Sequence, residues 1–528
     1  MKKTHYFNYL TTTSPIASLT ALVALSSLGI LGCGGGGSSS QSTPPPPAAQ
    51  GNYVVYGISD AGILLVDPSD PTKRKTIAGQ FAPVEIPLDS ATVDETTGKI
   101  QNLKRDTLLV SQNGELMRLS LAIPAVGTEP TLVKVSSESA AATTCLGSNS
   151  EPFNGFAAQS VANDYATPSN SRIVYILPGA DGDCNTIDDE IKAIRADMSA
   201  TDAPISAAVF DSITPLWDNK GKPIGWLAYV GDTIVRHDLD FTTLEPVTAA
   251  SGTDGPNFGT VRDKNGVGFG TSPYRYYNAT AKTLSDPIAV NFGSFSAGGY
   301  YGATDDSHIY YHGSSATELG LFRRLIDGTE VGAPIVTDSS NPAGNPGFIL
   351  GITTNHVVFR NGDGDLKSVA KSGGPISLID DKLEWAGRGN RAPFLTMDNN
   401  LVVYERYAEA APSLKTNVIL RDVEADKDIQ QVDDSTIIGE VATLDRPGTV
   451  ARLQAVLLMS TSGIITAIDF ATDTPSTLGT IDPLGVDEFI IVDRGGSDDI
   501  AIATRSNGAT VTGVYLFDLK KKTITKLL

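Results

Sequence analysis

A pair of short apolar runs around a turn recurs along most of this chain, and that recurrence limits the fold more than any other feature. Tyr53-Val54-Val55-Tyr56 turns at Ser59 to Gly62 into Ile63-Leu64-Leu65-Val66-Asp67, and Leu108-Leu109-Val110 turns at Asn113-Gly114 into Leu116-Met117-Arg118-Leu119. β-Branched and aromatic residues alternating on both sides of a Gly/Asn/Asp/Ser turn predict β-hairpins, and Asn-Gly favours the tight type I′ form. Similar pairs start near Ile173, Trp226, Ile309, Val357, Leu401, Ala455 and Ile500, with a weaker one over Val267 to Tyr277. Their spacing is mostly about 44 to 54 residues.

Helical periodicity is not sustained anywhere after residue 52, so the expected class is all-β. About 476 residues are too many for one hydrophobic core and must split or repeat. Hairpins at this period predict a single β-propeller over 53–528, in which each blade packs on its neighbours and only short edges remain open. Seven or eight blades are expected, eight preferred. The long intervals Leu121 to Ser171 and Val235 to Ser307 are where extra substructure is expected, including a disulfide-bearing insertion near 121–190.

The segment Asn361-Gly362-Asp363-Gly364-Asp365-Leu366-Lys367-Ser368-Val369-Ala370-Lys371-Ser372-Gly373-Gly374 resembles the turn, strand, turn unit of TolB-like bacterial propellers, over one blade's length. The Gly-His and Trp-Asp signatures of WD40 repeats are missing, as is the Trp-rich repeat of quinoprotein propellers.

The first 52 residues predict an address. Met1-Lys2-Lys3 precedes a mostly apolar stretch from Pro15 to Leu31, the layout of an export signal over 1–32. Ile30-Leu31-Gly32-Cys33 resembles the bacterial lipobox, which implies cleavage before Cys33, its lipidation with palmitate among the acyl chains, and a lipoprotein held at the cell envelope. Two or three acyl chains anchor stably where one does not. Gly34 after the cysteine, where the related enterobacterial retention signal has Asp, points to the outer membrane. Residues 33–52 then form a Gly/Ser-rich tether stiffened by Pro44 to Pro47.

The formal net charge is −20, which leaves no excess of Lys and Arg to neutralise phosphates, so the chain as a whole should repel nucleic acid and anionic lipid, and no nucleic-acid partner is expected. Lipidation of Cys33 leaves Cys145 and Cys184, two cysteines that an oxidising compartment would join in one disulfide.

The most distinctive polar segment is Asp181-Gly182-Asp183-Cys184-Asn185-Thr186-Ile187-Asp188-Asp189-Glu190. Asp181, Asp183, Asn185, the Ile187 carbonyl and Asp189 stand at alternate positions, as a calcium loop requires. Thr186 replaces the EF-hand glycine and Lys192 the bidentate glutamate, so the alternatives are a calcium loop of another type and a solvated acidic hairpin tip. Asn361, Asp363 and Asp365, and the pairs Asp305-Asp306 and Asp498-Asp499, read as turn residues. His308 and His312 are four apart on a strand, about 13 Å, too far to share one metal.

Ser294-Phe295-Ser296-Ala297-Gly298 lacks the first glycine of a nucleophile elbow, and Ser368-Val369-Ala370-Lys371 lies on a hairpin where the Ser-x-x-Lys motif needs a helix. No Walker loop or dinucleotide fingerprint appears, and no organic cofactor is indicated. The expected function is a non-enzymatic binding or scaffold module for a protein or glycan at the envelope. The alternative is an envelope hydrolase or lyase whose carboxylates come from several blades.

Overall fold

The computed structural model describes residues 51–59, 61–112, 115–124, 129–135, 158–177, 190–198, 205–206, 212–230, 233–249, 262–269, 273–288, 302–314, 319–329, 334–336, 348–361, 364–381, 394–396, 400–407, 416–444, 446–447, 451–470, 472–481, 488–493, 500–507 and 510–528. Cys33, Cys145, Cys184, the 181–189 loop, the Asn113-Gly114 turn, Ser294 to Gly298 and Asp498-Asp499 lie outside them.

The described chain is strand throughout, apart from a 3-10 turn at Pro168–Asn170. The strands form ten small antiparallel sheets, spanning residues 54–77, 81–134, 158–206, 212–249, 266–284, 302–325, 348–380, 394–432, 435–480 and 488–526. Within each sheet, strands follow one another in sequence order, as successive hairpins dictate.

Apolar clusters join each sheet to the next. Leu88, Leu109 and Leu116 of the second sheet pack on Ile173, Tyr175 and Ile194 of the third. Trp226, Ala228 and Val235 of the fourth pack on Val174, Ile191 and Ala193 of the third. The succession continues to the tenth sheet, where Ile500, Ile502, Val514, Leu516 and Leu527 pack on Val54, Tyr56 and Val66 of the first. That contact closes the ring, and each interface is a small core of its own.

Ten sheets replace the expected seven or eight blades. Every recurrent hairpin builds its own sheet, the weak one at Val267 to Tyr277 included, because Gly266–Phe269 pairs with Arg275–Asn278 and packs on the fourth sheet through Val267 and Phe269. Of the interval expected to carry an insertion, the described part is in regular sheets: Leu132–Lys134 closes the second, and Ala158–Ala162 opens the third.

Outer strands are mixed in exposure, as in Lys427–Val432 and Thr523–Lys526, whereas second strands such as Leu401–Tyr407 begin with four buried residues. The first-to-second and third-to-fourth strand turns of a four-stranded blade lie on one face of the ring, which is where the polar chemistry described next is concentrated.

Candidate functional site

Aspartates repeat on this turn face. At the first-to-second strand turns, Asp94, Asp164, Asp218, Asp263 and Asp305 each accept two backbone N–H bonds from residues two to four positions ahead. At the turns into the outer strands, Asp67, Asp238, Asp327, Asp422 and Asp518 accept one each. The carboxylate satisfies donors that no strand partner can reach, so much of the acidity fixes turns.

One hairpin is oversized. Phe81–Val93 and Ile100–Gln112 are thirteen residues each, and their ends leave the second sheet to cover the turns of the third and fourth. Ile100 and Leu103 pack there on Tyr165 and Trp217, and Ala91 N donates to Tyr165 O at 2.8 Å. At the tip, Gly98 sits at φ +73°, so close to the fifth sheet's leading turn that a Cβ would lie 2.3 Å from Lys264 Cβ.

Beneath this hairpin lies a polar cluster. Arg262 is 4 % exposed and stacks 5.1 Å over Trp217. Its guanidinium donates to Pro215 O at 3.0 Å and Thr214 Oγ1 at 2.8 Å. Burial draws its pKa down to about 10, still charged at neutral pH. Burial raises the Asp263 carboxyl, against the pull of a hydrogen bond from Tyr276 and two backbone amides, while Tyr276 is pushed far above the usual phenol range by burial and by Asp263. Asp306, left-handed at φ 70°, is held by both terminal nitrogens of Arg446, which arrives from the ninth sheet's first turn. Turns of the second, fifth, sixth and ninth sheets thus converge at one end of the ring.

The cleft between Gly98, Trp217, Arg262, Lys264 and Pro447 has about 10 Å³ of usable space. That holds about one water, where organic ligands need hundreds of cubic ångströms. Asp263 and Asp306 are two carboxylates from adjacent blades, yet each already bonds to donors of the protein itself. The arrangement locks blades together.

Of the residues singled out from sequence, Asp306 joins this cluster and the other described ones fall elsewhere. Lys371 lies 3.3 Å from Asp305 Oδ2 and 5.5 Å from the Tyr310 ring centroid, so it ties the seventh sheet to the sixth. Asp305, which also accepts from Ser307, His308 and Tyr310, is held well below the usual carboxylate range despite partial burial. Asn361 Oδ1 accepts from Asp365 N at 2.8 Å with Gly364 at φ +95°, the tight hairpin turn expected there. Among the described residues no three or more His, Cys, Asp or Glu side chains converge as a metal cradle.

A second polar group spans the seventh and eighth sheets. Glu424 accepts from Thr353 Oγ1, from Asn355 N and Nδ2 at 2.9 Å each, and lies 3.1 Å from His356 Nδ1. Burial opposes its ionisation, but these bonds outweigh burial and hold the carboxyl at about 2. Sequence reading assembled neither group, because bonded partners such as Asp306 and Arg446 lie 140 residues apart. The repeated turn aspartates were the available signal.

No family model matches the chain, and no curated protein matches its sequence. Among solved structures it is similar to a eukaryotic initiation factor (11% identity, 81% of this chain and 95% of that one, TM-score 0.43). It is also similar to AztD of Citrobacter koseri (12%, 64% and 90%, TM-score 0.30) and to an oligogalacturonate lyase of Vibrio parahaemolyticus (11%, 60% and 94%, TM-score 0.29). Such scores transfer no residue and no activity, and the propeller assignment rests on the ring of sheets itself.

Proposed function

We propose that this chain is a lipid-anchored, non-enzymatic propeller that binds a protein or glycan at the cell envelope, on the outer membrane. The observation that carries this reading is on the rim of the seventh and eighth sheets. Ile376 and Leu378 are 47% and 53% exposed on or beside the outer strand Ser377–Asp380, and Ile429 is 38% exposed on the neighbouring outer strand Lys427–Val432. Large apolar side chains on open edges are a liability unless a partner covers them. The hydrolase or lyase alternative needs uncommitted carboxylates beside a cleft of substrate size, and the Asp263 and Asp306 cluster offers neither.

Residues 51–528, used as bait in envelope extract, test this. Specific capture that Ile376→Asp with Leu378→Asp abolishes supports the reading. Hydrolysis of a glycan or peptide panel without a specific partner overturns it. Calcium at Asp181, Asp183, Asn185, Ile187 and Asp189, and a Cys145–Cys184 bridge, belong to the same proposal. A chelator should then lower the thermal midpoint, and reductant should release two thiols.

A further inference from the structure

The ring closes between the tenth and first sheets, and that seam is cationic on a chain of net charge −20. The outer strand Asp70–Ile77 of the first sheet carries Lys73, Arg74 and Lys75. The turn of the tenth sheet carries Lys520, Lys521 and Lys522, all exposed, and Lys526 follows on the outer strand Thr523–Lys526. Arg74 Nη1 donates to Leu527 O at 2.5 Å, which fixes the two outer strands side by side. Seven cations therefore lie along one seam.

Four carboxylates lie among them. Asp67 and Asp518 are only 6% and 5% exposed and cap their own turns, and Asp518 Oδ2 also pairs with Lys521 Nζ at 3.0 Å. Asp70 pairs with Lys73 at 3.3 Å and Glu129 with Lys75 at 3.0 Å, each pair with one exposed and one half-buried member, so that water still weakens it. The outward surface stays positive.

The tether leaves from the same end. Val54 pairs with Val66, so Gly51 and Asn52 lie beside the Asp67 to Asp70 turn. Neighbouring blades are related by rotation about the ring axis, so the Lys520 to Lys522 turn faces the same way. A short tether from an anchored Cys33 would keep this end of the ring near the bilayer. Charge complementarity then selects the surface it meets.

We infer that the seam formed by Lys73, Arg74, Lys75 and Lys520 to Lys522 docks the ring on an anionic phospholipid surface. The inference rests on the proposed lipid anchor for its geometry, and the anchor can be tested separately.

Every cluster residue lies between Tyr53 and Leu527, so a chain begun at Gly51 keeps the whole described core. Its sedimentation with phosphatidylglycerol-containing vesicles at low ionic strength is expected to exceed that with phosphatidylcholine alone, and added salt should reverse it. Lys73→Gln, Lys520→Gln, Lys521→Gln and Lys522→Gln together should weaken binding by about fivefold per residue. The matched set Lys220→Gln, Lys282→Gln, Lys367→Gln and Lys427→Gln should leave it unchanged. Equal binding to both vesicle types, binding to neither, or equal loss in both variants overturns the inference. Labelled fatty acid that fails to incorporate at Cys33, tested with Cys33→Ser as the control, would sink the anchor and leave the vesicle result standing.

Discussion

The seam between the fourth and fifth sheets and that between the seventh and eighth do the same job in different surroundings. In the first, Arg262 is buried against Trp217 and bonds to Pro215 O and Thr214 Oγ1 beneath the oversized hairpin. In the second, Glu424 gathers Thr353, Asn355 and His356 with its side chain 18% exposed. Water can replace the partners of Glu424 more readily than those of Arg262, whose bonds to Pro215 and Thr214 are buried. The buried clamp should therefore be costly to break and insensitive to ordinary pH, and the half-buried one cheaper to break and sensitive to acid.

Arg262→Ala strands the Thr214 and Pro215 oxygens and uncovers Trp217, and should lower unfolding stability by about 3 kcal/mol in a denaturant titration. A loss under about 1 kcal/mol would mean that water enters the seam and the contrast is false. Gly98→Ala attacks the same seam from above, by placing a Cβ against Lys264 at a left-handed φ, and should cost about 1 to 2 kcal/mol.

Glu424→Gln should cost about 1 to 2 kcal/mol at neutral pH, less than Arg262→Ala. Because its folded pKa of about 2 lies below the ordinary 4.5, Glu424 stabilises the fold above that ordinary value and loses the contribution as pH falls toward 2. The difference in melting temperature between wild type and variant should therefore vanish in acid. A difference independent of pH would break the comparison.

The smallest effect concerns His237, 2% exposed beside Phe241, whose imidazole burial pushes below the usual histidine range against the opposing influence of Thr243 and Asp238. A histidine depressed on folding favours the unfolded state once protonated, so stability should fall as pH drops below about 6.5. His237→Phe should flatten that slope, as followed by melting temperature from pH 7 to 5.

The hairpins were legible because alternation is local: Ser59 pairs with Gly62 and Ile58 with Ile63, as the residues between Tyr53 and Asp67 predict. All ten recurrent pairs found their sheets. The number of blades was misjudged because length alone does not show which hairpins are decorations, and only packing such as that of Val267 and Phe269 on the fourth sheet decides it. The sites were less legible. Asp94, Asp164, Asp218, Asp263 and Asp305 were visible as acids, but their common place at blade turns appears only once the strands are aligned.

Alternation of apolar and polar residues, a property of near neighbours, determined by itself that the chain would be all-β and repetitive. Ring closure of the tenth sheet on the first, the pairing of Arg446 with Asp306 and the burial of Arg262 were decided by tertiary structure alone. Each joins residues whose proximity depends on how many blades stand between them, and that number is fixed by the packing of whole sheets.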